Sequence, residues 1–442
     1  MARNPADIAQ EILQRAKRRG IGAAEVMLEE SESRSVRFQD NCLKSVNASQ
    51  SLGAGLRIIH NGRVGFSSDN DLAAVDDLVD RALASAQFGP EAAFEFPAQK
   101  EGPAVQLYDA AAAELPMERA AEMMRQAIAE IHAAFPDAHC GGGIERDTGR
   151  SILCNSTGLH HEELSTGYSA GVDAFLVRGE SFLWVGEGDE SARFNPDLLR
   201  HARKTVEWIR LCQREVHPAG GEMPVIFTPR ALESLLESLD ANTNGKTVQK
   251  GASILAQQVG QKVLDERISL WDDPTVDYAS GSLSVDGEGV PARRKPVFER
   301  GVLRGFLYDL QTAGLMGAAS TGSGMRGYSS PPGPGGSNLR MDPGRTPYRD
   351  MLKGLKRGLL IDSALGAGQS NVLAGDFSVN VELGFLVENG EIVARVKDCM
   401  LAGNAFDAFN RVRDISAETE WHGALEAPYV CFDCLRLIGR GE

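Results

Sequence analysis

The chain has 442 residues and a formal net charge of −15, with no run of basic residues. Binding to nucleic acids or to anionic membranes needs a concentrated cationic face, so the charge argues against both. No segment reaches the roughly 20 apolar residues of a membrane span, and seven scattered cysteines, an odd number, favour reduced thiols in a cytoplasm.

The first predicted helix begins at Pro5, with Asn4 as its cap. A second helix is predicted over Leu72–Ala86, with Asn70 as its cap. Strand-like runs lie between the two helices, and Asn61-Gly62 is typical of a type I′ hairpin turn between strands. These strands are predicted at Ala24–Glu29, Ser35–Val46 and Ala54–Phe66.

The same order of elements then follows a second time. A helix is predicted over Met117–Ala134, and another begins at Pro196 with Asn195 as its cap. The Arg178-Gly179 turn occupies the place that Asn61-Gly62 has in the first round. The strands of this second round are predicted at Gly143–Arg146, Ser151–Leu153, Tyr168–Val177 and Ser181–Gly186. The pattern indicates an internal duplication, approximately residues 1–90 and 115–212, within an α+β domain of residues 1–215.

The polar stretch Arg214–Met223 is the predicted boundary, and residues 222–442 form the second predicted domain. A strand at Pro224–Phe227 leads into a helix that Thr228 caps and Pro229 opens. Further helices are predicted over Ala252–Leu264 and Tyr348–Arg357. Strands are predicted at Gly281–Val285, Lys295–Glu299, Val302–Tyr308, Asp376–Val381, Gly384–Glu388, Glu391–Val396 and Tyr429–Leu437, with turns at Arg300-Gly301 and Asn389-Gly390. Many strands with short turns favour a β-rich, barrel- or sandwich-like domain with a few helices.

A Gly- and Pro-rich loop, Thr321–Gly336, interrupts this second domain. Long irregular loops inside compact regions are uncommon and are usually functional or disordered. The loop contains a formal GxGxxG, but Ser329–Pro334 forbids the helix that a dinucleotide site needs after its glycines. Its best candidates for substrate binding are Arg326, Tyr328 and Asn338. They offer the paired donors of a guanidinium group, an aromatic ring and a side-chain amide. The alternative is that Arg326 and Tyr328 only hold the loop in place.

Four segments resemble the TldD/PmbA family, in the right order and over most of the chain. They are VRFQDNCLKSVNASQSLGAGLRII at 36–59, DGEGVPARRKPVFERGVLRGFLYDLQTA at 286–313, GMRGYSSPPGPGGSNLRMDPG at 324–344 and AGNAFDAF at 402–409. The resemblance implies a repeated α+β first domain, a β-rich second domain and a cytoplasmic peptidase of two paralogous subunits. The TldD subunit of that system carries a metal on a His-Glu-x-x-x-His helix, whereas the PmbA subunit, also called TldE, lacks the metal ligands. Together the two subunits cut unfolded peptides, including leader segments of modified peptides and small antitoxins.

The metal motif of the family is degenerate in this sequence. Its six positions fall on the segment from Glu237 to Asn242, where Ser238 replaces the glutamate and neither histidine is present. Asn and Ser bind zinc poorly, and one carboxylate does not hold it. The departure points to the PmbA-type subunit, with no metal and no catalytic residue in this chain and with zinc expected on the partner.

The favoured interpretation is therefore a non-catalytic PmbA/TldE-like subunit of a heteromeric TldD/PmbA metallopeptidase. Its expected partners are a TldD-type paralogous subunit and unfolded peptide substrates, and a homo-oligomer stays open. Two alternatives remain: a self-sufficient, possibly homodimeric peptidase of the same family, and a peptide-binding protein without catalysis.

Overall fold

The structure, a computed structural model, describes residues 4–439, apart from the side chain of Cys434. The helices of this part are α1 (Pro5–Arg18), α2 (Val75–Ala86), α3 (Ala110–Ala113), α4 (Met117–Ala134), α5 (Leu198–Leu211), α6 (Pro229–Thr243), α7 (Gly245–Gln249), α8 (Leu310–Leu315), α9 (Tyr348–Lys353) and α10 (Ala405–Asn410). The strands of the first half are β1 (Ala23–Gln39), β2 (Cys42–His60), β3 (Arg63–Asp69), β4 (His139–Asn155), β5 (His160–Arg178) and β6 (Ser181–Ser191).

The strands of the second half are β7 (Glu215–Val216), β8 (Gly221–Phe227), β9 (Leu270–Asp272), β10 (Lys295–Glu299), β11 (Val302–Leu303), β12 (Gly324–Met325), β13 (Gly333–Pro334), β14 (Leu339–Met341), β15 (Arg357–Leu365), β16 (Asp376–Glu388), β17 (Glu391–Val396), β18 (Met400–Asn404), β19 (Val412–His422) and β20 (Leu425–Ile438). Two short 3₁₀ helices, Ala367–Gln369 and Val372–Ala374, lie between β15 and β16. None of the helices in residues 4–439 is long and apolar enough to span a bilayer.

The first half is one antiparallel sheet of order β3-β2-β1-β4-β5-β6. Asn61 and Gly62 both have positive φ, as the predicted type I′ turn requires. Several predicted strands are fragments of longer ones, and Ser35–Val46 is wrong as a single strand. Asp40 and Asn41 both take positive φ in its middle, so the chain turns there from β1 into β2.

The helix starts are partly as predicted. The Asn4 side chain accepts from the amide of Ala6 at the start of α1, and α4 has its predicted bounds. The predicted caps Asn70 and Asn195 are wrong. Helix α2 begins at Val75 without a side-chain cap, and Asp197 caps α5 by accepting from the Arg200 amide.

The two hairpins of the sheet interlock. The β1–β2 hairpin carries Val36 and Phe38 into the core under α4 and α5. The β4–β5 hairpin carries Ile152 and Cys154 into the core under α1 and α2. Each helix-covered lobe of the sheet is therefore completed by the hairpin of the other. The order helix, three strands, helix occurs in both rounds, and the duplication itself stays a prediction.

In the second half a closed barrel forms from five strands. The ring runs β8-β15-β16-β18-β20 and returns to β8, with β8 and β15 parallel and the other neighbours antiparallel. The α+β class is therefore confirmed, with a barrel in the second half. The inner residues of β8, such as Phe227, pack with the leucine stripe of α6. The predicted leucines Leu232, Leu235, Leu236 and Leu239 are buried.

The opposite face of the barrel wall joins the core of the first half. Ile226, Leu360 and Phe385 pack in the same cluster as α4 and α5, and the Trp208 and Phe385 rings stack with centroids 5.2 Å apart. The segment that was predicted as the domain boundary contains β7, which pairs with β17 of the large sheet. The division into two domains stays a prediction.

Other predictions for the second half are wrong. Residues 252–264 form turns instead of a helix, because Gly251 and Gly260 take positive φ and the Ser253 side chain bonds back to the Asn242 carbonyl. Gly281–Val285 is not a strand, and Val302–Tyr308 is a strand only over its first two residues. Helix α9 stops at Lys353, and barrel strand β15 begins where the predicted helix continued.

Candidate functional site

A large cleft lies between the six-stranded sheet and helix α6. It consists of two adjoining cavities of about 610 and 950 Å³ that share Arg230, Ser363 and His422 in their linings. We call this space the central cleft. Cavities of this size accept a small molecule or several residues of a peptide.

Helix α6 forms one wall of the central cleft. Its buried leucines lie on one side, and residues at helical spacing on the other side line the cleft. The polar side chains of α6 that line the cleft are Arg230, Glu233, Ser234, Glu237 and Asp240, and Ala231 and Leu236 line it beside them. This wall is therefore acidic, with one arginine at its first turn.

The opposite wall is a sheet face rich in glycine. Gly141, Gly143, Gly171 and Gly186 line the cleft beside Trp184. Side chains are missing at these positions, so the backbone of the sheet is open to the cleft. The N–H and C=O groups of β4 and β5 pair with the neighbouring strands of the sheet, so this wall is a shallow surface with little side-chain selectivity.

A charge network connects the two walls. Arg230 of α6 pairs with Asp362 of β15 at 3.2 Å and with Glu187 of β6 at 3.4 Å. Lys204 of α5 lies 3.4 Å from the same Glu187 carboxylate. Burial raises the pKa of Asp362, and the Arg230 guanidinium works against that rise. The network fixes α6 against the sheet and leaves a mixed-charge centre in the cleft.

His422 lies at the junction of the two cavities. Its Nε2 is 3.7 Å from a Glu233 carboxylate oxygen. Burial lowers the pKa of His422, and the nearby Arg230 charge lowers it further. The imidazole is therefore neutral at pH 7 and can act as a hydrogen-bond donor and acceptor.

The degenerate metal-motif positions do not offer a metal site. Glu237 is exposed to the cleft, whereas Ser238 and Asn242 are buried. The Asn242 amide is used internally, since Nδ2 donates to the Ser238 and Leu373 carbonyls and Oδ1 accepts from the Ile254 amide. Throughout residues 4–439, no three His, Cys, Asp or Glu side chains are grouped closely enough to hold one ion. The residues at these positions therefore do not fit the zinc ion of the TldD pattern.

Asp240 is the other carboxylate of this stretch. It lies on the cleft wall, and burial raises its pKa, with the Asp272 and Glu237 charges adding to the rise.

The three predicted substrate-binding residues lie outside the cleft linings described above. The Arg326 side chain is fully buried, with Nη2 2.8 Å from Glu25. Asn338 is fully buried, donating to the Asp273 carbonyl and Ser282 hydroxyl and accepting from the Gly281 amide. The Tyr328 ring packs on Gly53, Met27, Leu153 and Leu159. In this conformation all three hold the loop in place.

Arg326 belongs to a buried cluster of charges that joins the loop to the sheet. Arg57 of β2 lies 2.9 Å from Glu25 of β1 and 2.6 Å from Glu288. Arg326 Nη2 approaches Glu25 to 2.8 Å, yet the three guanidinium nitrogens of Arg326 make no hydrogen bond within residues 4–439. Burial lowers the pKa of Arg326 and raises that of Glu288 to about 7, the latter against the Arg57 charge.

The sequence reasoning missed the centre of the cleft. Arg230, Ser363 and His422 lie far apart in the chain, on α6, β15 and β19, and no local motif marks them. One signal was available, at Arg230. It follows the capping Thr228 and the first-turn Pro229, which places it in the first turn of a helix.

Comparison with known proteins agrees with the family resemblance. The family models described as PmbA/TldA metallopeptidase C-terminal domain and domain 1 match residues 220–439 and 24–86. The chain is 25% identical to a metalloprotease PmbA homolog of Haemophilus influenzae, over 94% of this chain and 92% of that protein. It is 29% identical to a metalloprotease TldD homolog of Buchnera aphidicola, over 52% of this chain and 47% of that protein.

The fold also matches a solved structure. TldE from Thermococcus kodakarensis superposes with a TM-score of 0.89 at 21% identity, covering 98% of this chain and 100% of that one. The matched models together span more than half of the sequence, and they cover the barrel and three strands of the six-stranded sheet. The chain belongs to the PmbA/TldD family of metallopeptidases.

Proposed function

We propose that this chain is the non-catalytic, PmbA/TldE-type subunit of a cytoplasmic, two-subunit TldD/PmbA metallopeptidase that processes or degrades unfolded peptides. The observation that carries the proposal is the state of α6. Where the TldD pattern requires two histidines and a glutamate, this helix has Glu237, Ser238 and Asn242. The last two are buried, and the Asn242 amide is hydrogen-bonded within the protein.

The comparisons support the same assignment. Similarity to the PmbA homolog extends over almost the whole chain, whereas similarity to the TldD homolog covers about half of it. In the proposed complex the partner supplies the zinc ion and the attacking water, and the central cleft of this chain forms part of the substrate chamber.

The test is a peptidase assay with an unfolded peptide, using this chain alone, a TldD-type partner alone and their mixture. We expect cleavage to require the partner and to be fastest in the mixture. Chelation should abolish it, and zinc returned to the partner should restore it. Cleavage by this chain alone, or stoichiometric zinc on this chain, would contradict the proposal.

A variant of this chain separates a chamber subunit from a self-sufficient peptidase. Glu237→Gln should leave cleavage by the mixture within about twofold, because a chamber carboxylate contributes little to the chemical step. A loss of a hundredfold or more would place the catalytic centre on this chain instead.

A further inference from the structure

One edge of the six-stranded sheet has no strand beside it. Strand β3 pairs with β2 only over Ala54–His60, so the outer side of Cys42–Gly53 has no backbone partner within residues 4–439. We call this segment the free edge. Its side chains from Cys42 to Ser51 are exposed on both faces of the sheet, apart from a half-buried Ser45.

The free edge lacks the features that normally protect an edge strand. Natural edges are blocked by charges, prolines or covering loops. Here Lys44 is the one charged residue of the segment, and no proline interrupts CLKSVNASQSLG. The stretch from Ser45 to Gly53 is itself uncharged, and the acidic side chains of Glu30 and Glu32 lie on the paired strand β1.

The hairpin turn determines which amides face outward. His60 and Arg63 flank the two-residue type I′ turn and therefore form a hydrogen-bonded pair. Even-numbered residues of β2 then direct both N–H and C=O away from β1, and the pairing with β1 runs without a shift as far as Val36. The outward amides of the free edge are those of Val46, Ala48, Gln50 and Leu52.

The corresponding edge of the second round is already covered by an extended segment of the chain. Strand β5 pairs with β6 only from Tyr168 onward. Before that point, the Thr166 amide donates to the Leu107 carbonyl and the His160 amide donates to Gln99. An extended segment with no secondary structure of its own thus occupies one of two equivalent edges, and the other is open.

The free edge continues the wall of the central cleft. Ser35 and Arg37 of β1 line the cleft and pair with Asn47 and Ser45 of β2. A strand added outside β2 would therefore extend the cleft wall by one strand. The segment is one strand wide, and its side chains from Cys42 to Ser51 are mostly small and polar, which suits a single extended segment as the occupant.

We propose that the free edge binds an extended segment of an unfolded peptide by β-strand addition, and so guides it along the central cleft. Main-chain hydrogen bonds to Val46, Ala48, Gln50 and Leu52 supply the affinity, and the small polar neighbours make the binding tolerant of sequence. The inference rests on the proposed function only for the choice of a peptide as ligand.

Amide hydrogen exchange on the intact chain tests this, with a short, soluble, unstructured peptide of zero net charge. The peptide should slow exchange at Val46, Ala48, Gln50 and Leu52. Exchange at Asn47, Ser49 and Ser51 should not change, because those amides already bond to β1. The same peptide with alternate amides N-methylated should lose the effect.

Variants give a second readout. Ala48→Pro removes one outward N–H and should weaken binding of the labelled peptide roughly tenfold, whereas Ala48→Val keeps the N–H and should bind as the wild type does. Should Ala48→Pro not fold, the N-methylated peptide still decides the question. Unchanged exchange at the four amides overturns the inference, and so does their protection by self-association in the absence of peptide. If the mixture with the partner cleaves peptides while these amides stay unchanged, the proposed function stands and this inference fails.

Discussion

At the scale of single residues, the molecule places several charges where water does not reach. Arg57, Arg326, Glu25 and Glu288 lie between the sheet and the loop with almost no exposed surface. A buried cluster of charges stabilises the fold only while all of its members are present, because removing one charge leaves another buried and unpaired. Arg326 is therefore part of the connection between the two halves.

Glu288 gives this cluster a pH dependence. Its folded pKa of about 7 lies above the ordinary value of 4.5 because the carboxyl is buried. The folded state therefore holds the proton more tightly than the unfolded state, so the stabilising contribution is complete below pH 4.5 and is lost as the pH rises to about 7. We expect the wild type to lose unfolding free energy relative to Glu288→Gln as the pH rises over that range. Denaturant unfolding at a series of pH values measures it, and a difference that does not vary with pH would contradict the prediction.

At the residue scale, the sequence left open whether Arg326 and Tyr328 bind a substrate or hold the loop, and the substrate-binding role of these residues and of Asn338 stays a prediction. A guanidinium group and an amide in a Gly-rich loop have the chemistry of a binding site, and nothing local to Arg326 or Asn338 shows that both are buried. Burial there depends on Glu25 and Ser282, which are distant in sequence from the residues that they contact. The degenerate metal motif was visible because it is a set of residue types at fixed spacing on one helix.

At the scale of elements, local signals located turns and helix starts well and strand extents poorly. Asn61-Gly62, Asn389-Gly390 and Arg300-Gly301 take positive φ at both residues. The predicted Arg178-Gly179 turn is shifted by one residue, because Arg178 pairs with Ser181 and the turn is Gly179-Glu180. Helix α6 begins as predicted, with Thr228 capping the Ala231 amide. Strand β15 was missed because its place in the barrel depends on parallel pairing with β8, which lies far earlier in the chain, as well as on the following strand β16.

The docking of the loop on the sheet makes one glycine sensitive to substitution. A Cβ at Gly55 would lie 2.1 Å from the Tyr328 carbonyl oxygen, which is backbone and has to move. We expect Gly55→Ala to lower stability by about 1–3 kcal/mol and to expose the buried Arg326 to trypsin. Limited proteolysis with mass spectrometry measures the cleavage.

Gly22→Ala is the matched control, since a Cβ at Gly22 meets nothing within 4 Å. It should leave Arg326 protected. Equal cleavage in the two variants would mean that the loop is not held by its contact with β2.

At the scale of the whole molecule, the two halves share packing and charge. The outer wall of the barrel and helices α4 and α5 form one core, and Arg230 links α6 to Glu187 of the sheet. A double-mutant cycle with Glu187→Gln and Arg230→Met should give a coupling energy of about 1–3 kcal/mol, because the Glu187 side chain is almost fully buried.

The exposed pair Asp350 and Lys353 provides the comparison, for which we expect at most about 0.5 kcal/mol. Both cycles are measured by denaturant unfolding. Equal coupling in the two cycles would show that the network between the walls does not hold α6 against the sheet.

The interlocked hairpins have a consequence for the origin and assembly of this protein. Val36 and Phe38 fill a space beneath helices that are synthesised much later, and Ile152 and Cys154 return to fill the space beneath the earliest ones. Neither round has a finished interior by itself; on the predicted duplication, a single ancestral copy would have needed a second copy to exchange hairpins with. A nascent chain that stops short of β4 lacks the side chains that close its first lobe. The first lobe can therefore close only after residues 139–155 have left the ribosome.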